Sequence, residues 1–197
     1  MIKPADWNTV QANDGAREQI TPGGHICVIK AARPDRTRTG KELFVLFLEL
    51  ADGQPTDGMI GREYARRRES KPDAQWPVSG QYRQLTQDSN GGTNPYFKGL
   101  IKSIEDSNNG FVWDFNEASL KGKKIGMIFR EEEYFDANYN VRTSVKPVWA
   151  RSVATIERGV EVPECKRLPG TPAAPAAAPA AFAQTAFTPA DEEDLPF

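Results

Sequence analysis

Histidine and cysteine are almost missing from this chain, and with them go most metal and thiol chemistries. His25 is the single histidine, and Cys27 and Cys165 are the two cysteines in 197 residues. They are too few and too scattered for a zinc site with ordinary ligand spacing. Cys27 sits in an apolar run and reads as a small core residue, and a disulfide is not expected in a reducing compartment. No apolar run approaches membrane-spanning length, and the start, Met1-Ile2-Lys3-Pro4-Ala5-Asp6-Trp7, lacks the basic-then-apolar order of a signal peptide. The expectation is a cytoplasmic protein without membrane association. There is no phosphate-binding loop, no Gly-x-Ser-x-Gly elbow and no Cys–His pairing at useful spacing. Lys121-Gly122-Lys123-Lys124 is a basic turn that lacks the preceding glycines of a phosphate loop. Internal repeats are also absent.

What is present is a charge pattern. The chain carries 25 Lys and Arg against 27 Asp and Glu, a net charge of -2. Four of the acids fall in the last seven residues, and no cation follows Arg167. Without those four, 23 acids face 25 cations, so the tip is -4 and the remainder +2. A balance this weak does not by itself point to nucleic acid; local clustering has to carry that argument. Length and 39% hydrophobic content suit one folded domain, expected over residues 1–168.

Gly24 to Arg33 reads as a strand entered through Pro22-Gly23-Gly24. A second strand spans Glu42 to Ala51, with Phe44, Leu46, Leu48 and Leu50 on one face and Leu43, Val45 and Phe47 on the other. Pro34 to Lys41 makes the hairpin loop between them. Gly61 to Lys71 reads as either a short helix or an extended flap. Asn94 to Asn108 is a clearer helix: Phe97, Leu100, Ile101 and Ile104 recur at helical spacing, and Asn94-Pro95 supplies a cap and a first-turn proline. Phe111 to Phe115 alternates three aromatics along an expected strand. Lys124 to Phe135 and Tyr139 to Val153 then form a long hairpin about Asp136-Ala137-Asn138.

Residues 169–190 are almost entirely Ala, Pro, Thr, Gly, Gln and Phe without charge, a composition that buries no core and is expected to stay disordered. The chain ends in Asp191, Glu192, Glu193, Asp194, Leu195, Pro196 and Phe197. This ending resembles the C-terminus of bacterial and phage single-stranded-DNA-binding proteins, where a low-complexity linker carries an acidic tip ending in Pro-Phe. Leu195 stands where the commonest family endings have Ile. The resemblance implies that Phe197 docks in an apolar pocket of a replication, recombination or repair protein while the acids meet basic residues around it. The plainer alternative is a solvated acidic end that keeps the chain soluble. Together with a count of about five strands and one or two helices, the resemblance implies a mainly β, OB-like five-stranded Greek-key barrel followed by a disordered tail. Phe97-Lys98-Gly99, Ser107-Asn108, Leu120 to Lys124, Glu131 to Tyr134 and Pro147-Val148-Trp149 also resemble a group of phage-encoded proteins, which implies a phage or prophage source.

Sequence-independent binding of single strands needs cations along the phosphates and aromatic faces for the bases. Arg33, Arg36, Arg38 and Lys41 cluster about the first hairpin loop, and Arg62, Arg66, Arg67 and Arg68 surround Tyr64 ahead of Trp76. Tyr82-Arg83 repeats the pairing of aromatic with cation. An OB barrel is expected to set Arg36 and Arg38 opposite Tyr134, Tyr139, Arg142 and Lys146 of the late hairpin. Each has a structural alternative. Trp76, Trp113, Phe115 and Trp149 fit a core, Tyr64 fits a half-buried packing position, and Arg66 to Arg68 fit a solvated helix face balanced by Glu63 and Glu69.

The enzyme alternative rests on Glu131-Glu132-Glu133 and Asp136 as a magnesium site. Neighbouring strand residues point to opposite faces, which leaves only Glu131 and Glu133 to cooperate, and a solvated hairpin fits better. A third class is an adaptor that binds protein rather than DNA. The expectation is a non-enzymatic, cofactor-free protein that coats single-stranded DNA and recruits partner enzymes through its tip. Oligomeric state is left open, a dimer being one option.

Overall fold

In the computed structural model, which describes residues 19–53 and 56–169, the order along the chain is β1 (Gly23–Arg36), β2 (Glu42–Leu50), α1 (Met59–Ser70), β3 (Gln81–Leu85), α2 (Pro95–Ser107), β4 (Lys124–Phe135), β5 (Val141–Arg151) and α3 (Val153–Glu157). Single 3-10 turns at Val78–Gly80 and Glu117–Leu120 lead into β3 and β4. From Gly170 onward the linker and the acidic tip, like the N-terminus through Glu18, lie outside the described residues. The chain divides into a unit Met1–Arg167, which holds every strand and helix named above, and a unit Leu168–Phe197.

The five strands form one antiparallel sheet in the order β3-β2-β1-β4-β5. Three consecutive strands pair in turn and β4 returns beside β1, which is Greek-key connectivity. No ladder joins β3 to β5 among the described residues, so the sheet is an OB-like arrangement that does not close by hydrogen bonds.

The alternation of β2 sets the core. Phe44, Leu46, Leu48 and Leu50 are buried and meet Cys27 and Ile29 of β1 and Ile125, Met127 and Phe129 of β4. α2 covers this layer with Leu100 and Ile104. Its start matches the sequence pattern: the Asn94 side chain accepts from Tyr96 N at 2.9 Å and Pro95 follows. Cys27 is a core residue, and burial, with the Glu49 charge adding, pushes its thiol well above the ordinary range.

Three expectations need correction. Phe111 to Phe115 is not a strand. Trp113 N donates to Glu105 Oε1 at 3.0 Å and Trp113 Nε1 to Asn116 O at 2.9 Å, which ties the segment to side chains and its own turn instead of a ladder. The fifth strand is β3, which the sequence pattern passed over. β1 also continues past Arg33 to Arg36 through Pro34. Its pairing with β4 ends at Val28, so Pro34 interrupts no ladder on that edge. The segment with two readings, Gly61 to Lys71, is helical, and with α3 it makes three helices.

α3 lies against the sheet over Gly126, where a Cβ would stand 2.5 Å from Ile156 Cγ1 and 2.8 Å from Ser152 O. Gly126→Ala should lower stability by about 1–3 kcal/mol through overpacking against backbone. A thermal unfolding midpoint equal to that of the parent would disprove this close packing.

Candidate nucleic-acid interface

The face of β1–β2–β3 turned away from the core is built by cross-strand register. Arg33 stands opposite Val45 and Val45 opposite Arg83, while Ala31 stands opposite Phe47 and Phe47 opposite Gln81. These residues share a face because alternate side chains point the same way. The Arg33 guanidinium lies 5.3 Å from the centre of the half-buried Phe47 ring, a cation–π arrangement. Arg83 is exposed and donates to Gln81 Oε1 at 3.0 Å.

The first hairpin loop is tightly made. Lys41 N donates to Thr37 Oγ1 at 3.0 Å, Gly40 N donates to Thr37 O at 2.9 Å, and Gly40 takes the left-handed φ of 81° that the turn requires. Arg33 and Arg36 have exposed acid partners, Asp35 at 3.7 Å and Glu42 at 3.8 Å. Arg38, Lys41, Arg66 and Arg83 make no ion pair among the described residues.

α1 borders the face. Its N-terminus is held by the buried Glu49 carboxylate, which accepts from Ile60 N at 3.0 Å and Gly61 N at 2.5 Å, and from Leu50 N at 3.1 Å. Arg62 donates to Asp57 O at 2.7 Å, and Arg67 pairs with Glu63 one turn back. Tyr64 is half-buried. Its ring centre is 5.0 Å from Trp76, and Arg68 lies over it at 5.8 Å. Trp76 itself donates to Leu48 O at 3.1 Å, so the indole is pinned to β2 at the margin of the core.

Tyr82, expected to stack on a base, is instead a core residue at 6% exposure, and burial pushes its phenol pKa up. Trp113 is buried as the structural alternative held. Trp149 and Phe115 are not: they are 40% and 77% exposed, Trp149 beneath the Arg130 guanidinium at 5.7 Å and Phe115 against Trp113 at 4.8 Å. Residues 113 and 115 point differently because the chain turns between them, with Phe115 at a left-handed φ of 62°.

Register does not set the two hairpin loops opposite each other. β1 runs beyond its β4 ladder past Val28, whereas β4 runs beyond the same ladder past Phe129, at the other end. Tyr134, Arg142 and Lys146 share a face of the late hairpin, and Tyr139 is exposed in its turn. Lys146 pairs with Glu132 at 3.5 Å and Arg142 with Asp136 at 3.2 Å. Partial burial works against the Glu132 carboxylate, but its Arg130 hydrogen bond and the charges of Lys166 and Lys146 hold its pKa below the usual range. No cluster of three metal-ligating side chains, Glu131 to Glu133 included, occurs among the described residues.

The residue that the sequence pattern undervalued is Phe47. Its signal was the alternation of Leu43, Val45 and Phe47, which puts Phe47 between strands that carry Arg33 and Arg83. No protein-family model matches this chain, and no curated protein matches it either.

Proposed function

We propose that this chain is a non-enzymatic single-stranded-DNA-binding protein that holds the strand across the outer face of β1–β2–β3. The observation that carries the reading is the group of Arg33, Phe47 and Arg83 on one face: Arg33 and Arg83 flank the buried Val45, Phe47 is the next residue on that face of β2, and the Arg33 guanidinium lies over its ring. One aromatic face with a cation diagonal to it on each neighbouring strand offers stacking to a base and charge to the flanking phosphates. Strands β2 and β3 are also where an OB-type sheet receives oligonucleotides. Arg38 and Lys41 extend the positive track into the first hairpin loop, while Tyr64 of α1 packs on Trp76. Nothing here reads a base edge, so binding is independent of sequence. The acidic ending from Asp191 to Phe197 supports a second role, recruiting replication or recombination enzymes of a phage or its host.

Fluorescence anisotropy of a labelled oligo-dT tests this, using the full chain and one ending at Pro169 over a salt series. Tight binding at low salt by both proteins, falling steeply as salt rises, is the expected result. Absence of binding at low salt would sink the reading and leave the adaptor class in front.

A further inference from the structure

We propose that the β4–β5 hairpin beyond Phe129 is a self-association surface, and that its occupant is the same hairpin of a second copy of this chain, paired edge to edge along β5 about a two-fold axis through Thr143. The inference does not depend on DNA binding. Past Phe129, β4 has left β1 and continues with β5 as a two-stranded ribbon. The free edge of β4 is covered: Glu133 N donates to Lys166 O at 2.9 Å and Lys166 N to Glu131 O at 2.8 Å. The outer edge of β5 from Val141 to Ser144 pairs with no strand among the described residues. An uncovered edge is a template for another strand.

Charge narrows the occupant. The ribbon with its covering segment carries Arg130, Arg142, Lys146, Lys166 and Arg167 against Glu131, Glu132, Glu133 and Asp136. Most of these are neutralised internally: Arg130 and Lys146 pair with Glu132 at 2.6 Å and 3.5 Å, and Arg142 with Asp136 at 3.2 Å. A surface so nearly balanced selects neither a polyanion nor a strongly basic partner, and it meets its own copy without net repulsion. The tip adds exposed apolar area at Phe135, Tyr139 and Val141, which are 56%, 85% and 47% exposed.

Register narrows it further. Antiparallel pairing centred on Thr143 sets Val141 opposite Val145, Arg142 opposite Ser144 and Lys146 opposite Asn140, so no like charges face each other. A centre one residue later would put Arg142 against Lys146, and a centre one earlier would put Arg142 against itself, both unfavourable cross-strand pairs. A two-fold contact of one patch with itself closes at a dimer.

The test is sedimentation velocity of the full chain without DNA, from about 1 to about 100 µM, where mass action shifts the population towards dimer. The expected result is concentration-dependent dimerisation that Thr143→Lys abolishes, because each new lysine meets its own copy. Thr143 is exposed, and an unchanged far-ultraviolet dichroism spectrum will confirm that the variant folds. As an independent arm, Thr143→Cys in a Cys165→Ser background should oxidise to a disulfide-linked dimer, whereas Arg142→Cys in that background should not, its own copy being diagonal and out of bonding range. A monomer at every concentration overturns the proposal. So does a dimer that survives Thr143→Lys, or equal cross-linking at both positions.

Discussion

Phe47→Ala should weaken binding of an oligo-dT strand by about 5- to 150-fold, the equivalent of roughly 1–3 kcal/mol for one lost base stack. It should do so without altering the salt dependence. Phe47 carries no charge and displaces no counterion, whereas Arg33 and Arg83 stand diagonal to it on neighbouring strands. Arg33→Ala with Arg83→Ala should therefore act on the other coordinate. Each phosphate deprived of its cation reduces the slope of log affinity against log salt by about 0.7 on a single strand, so the pair should flatten it by about 1.4. Anisotropy titrations at several salt concentrations separate the two effects. An unchanged affinity in Phe47→Ala, with the sheet intact by circular dichroism, would remove the outer face of β1–β2–β3 as the binding surface. Removing Phe47 also strips the Arg33 guanidinium of its ring partner at 5.3 Å. A slope that changes in Phe47→Ala would mean that Arg33 reaches its phosphate only when held by that ring.

The contrast between residues that were legible in the sequence and those that were not comes from how each is constrained. β2 was legible because its alternation is decided by one buried face, where Phe44, Leu46, Leu48 and Leu50 have no other place to go. α2 was legible because Asn94 and Pro95 set its start locally. β3 was not, since Gln81–Leu85 is short and mostly polar and becomes a strand through its partner β2, a non-local cause. The aromatic segment after α2 misled for the opposite reason: its alternation was real, but the left-handed turn at Phe115 and the Trp113 hydrogen bonds took it out of any ladder. At the candidate interface the same split appears. The cations were visible as clusters, yet which of them are already neutralised depends on acids brought close by folding. Glu132, for instance, takes Lys146 and Arg130 together. Tyr82 faces the core and Phe47 the opposite side of the sheet, an assignment for β3 that comes only through its register with β2.

Glu49→Ala should be the most damaging change outside the hydrophobic core, lowering stability by about 3 kcal/mol. Glu49 is 7% exposed and its two oxygens accept from Leu50 N, Ile60 N and Gly61 N. Each buried N–H stripped of its acceptor costs about 1–3 kcal/mol, and a charged acceptor adds to the loss. The carboxylate also sits at the N-terminus of α1, whose peptide dipoles favour negative charge there. The helix supplies little stabilisation of its own, since only Met59 and Ile60 are buried along it, so Glu49 acts as its principal tie to β2. The expected signature is therefore local as well as global. Amide exchange should accelerate through Met59–Ser70 well before it does in β1 or β4, and the unfolding midpoint should fall by roughly 10 °C for a domain of this size. Glu49→Gln keeps one acceptor oxygen but turns an amide donor towards backbone donors, so its stability should fall between those of the parent and Glu49→Ala. A Glu49→Ala protein with unchanged exchange in α1 would show that Tyr64 on Trp76, not the carboxylate, holds the helix in place. In that event α1 would keep its place and oligo-dT affinity would be untouched. If the carboxylate is the tie, freeing α1 should also weaken DNA binding at low salt, less than Phe47→Ala does, because the helix borders the stacking face without forming it.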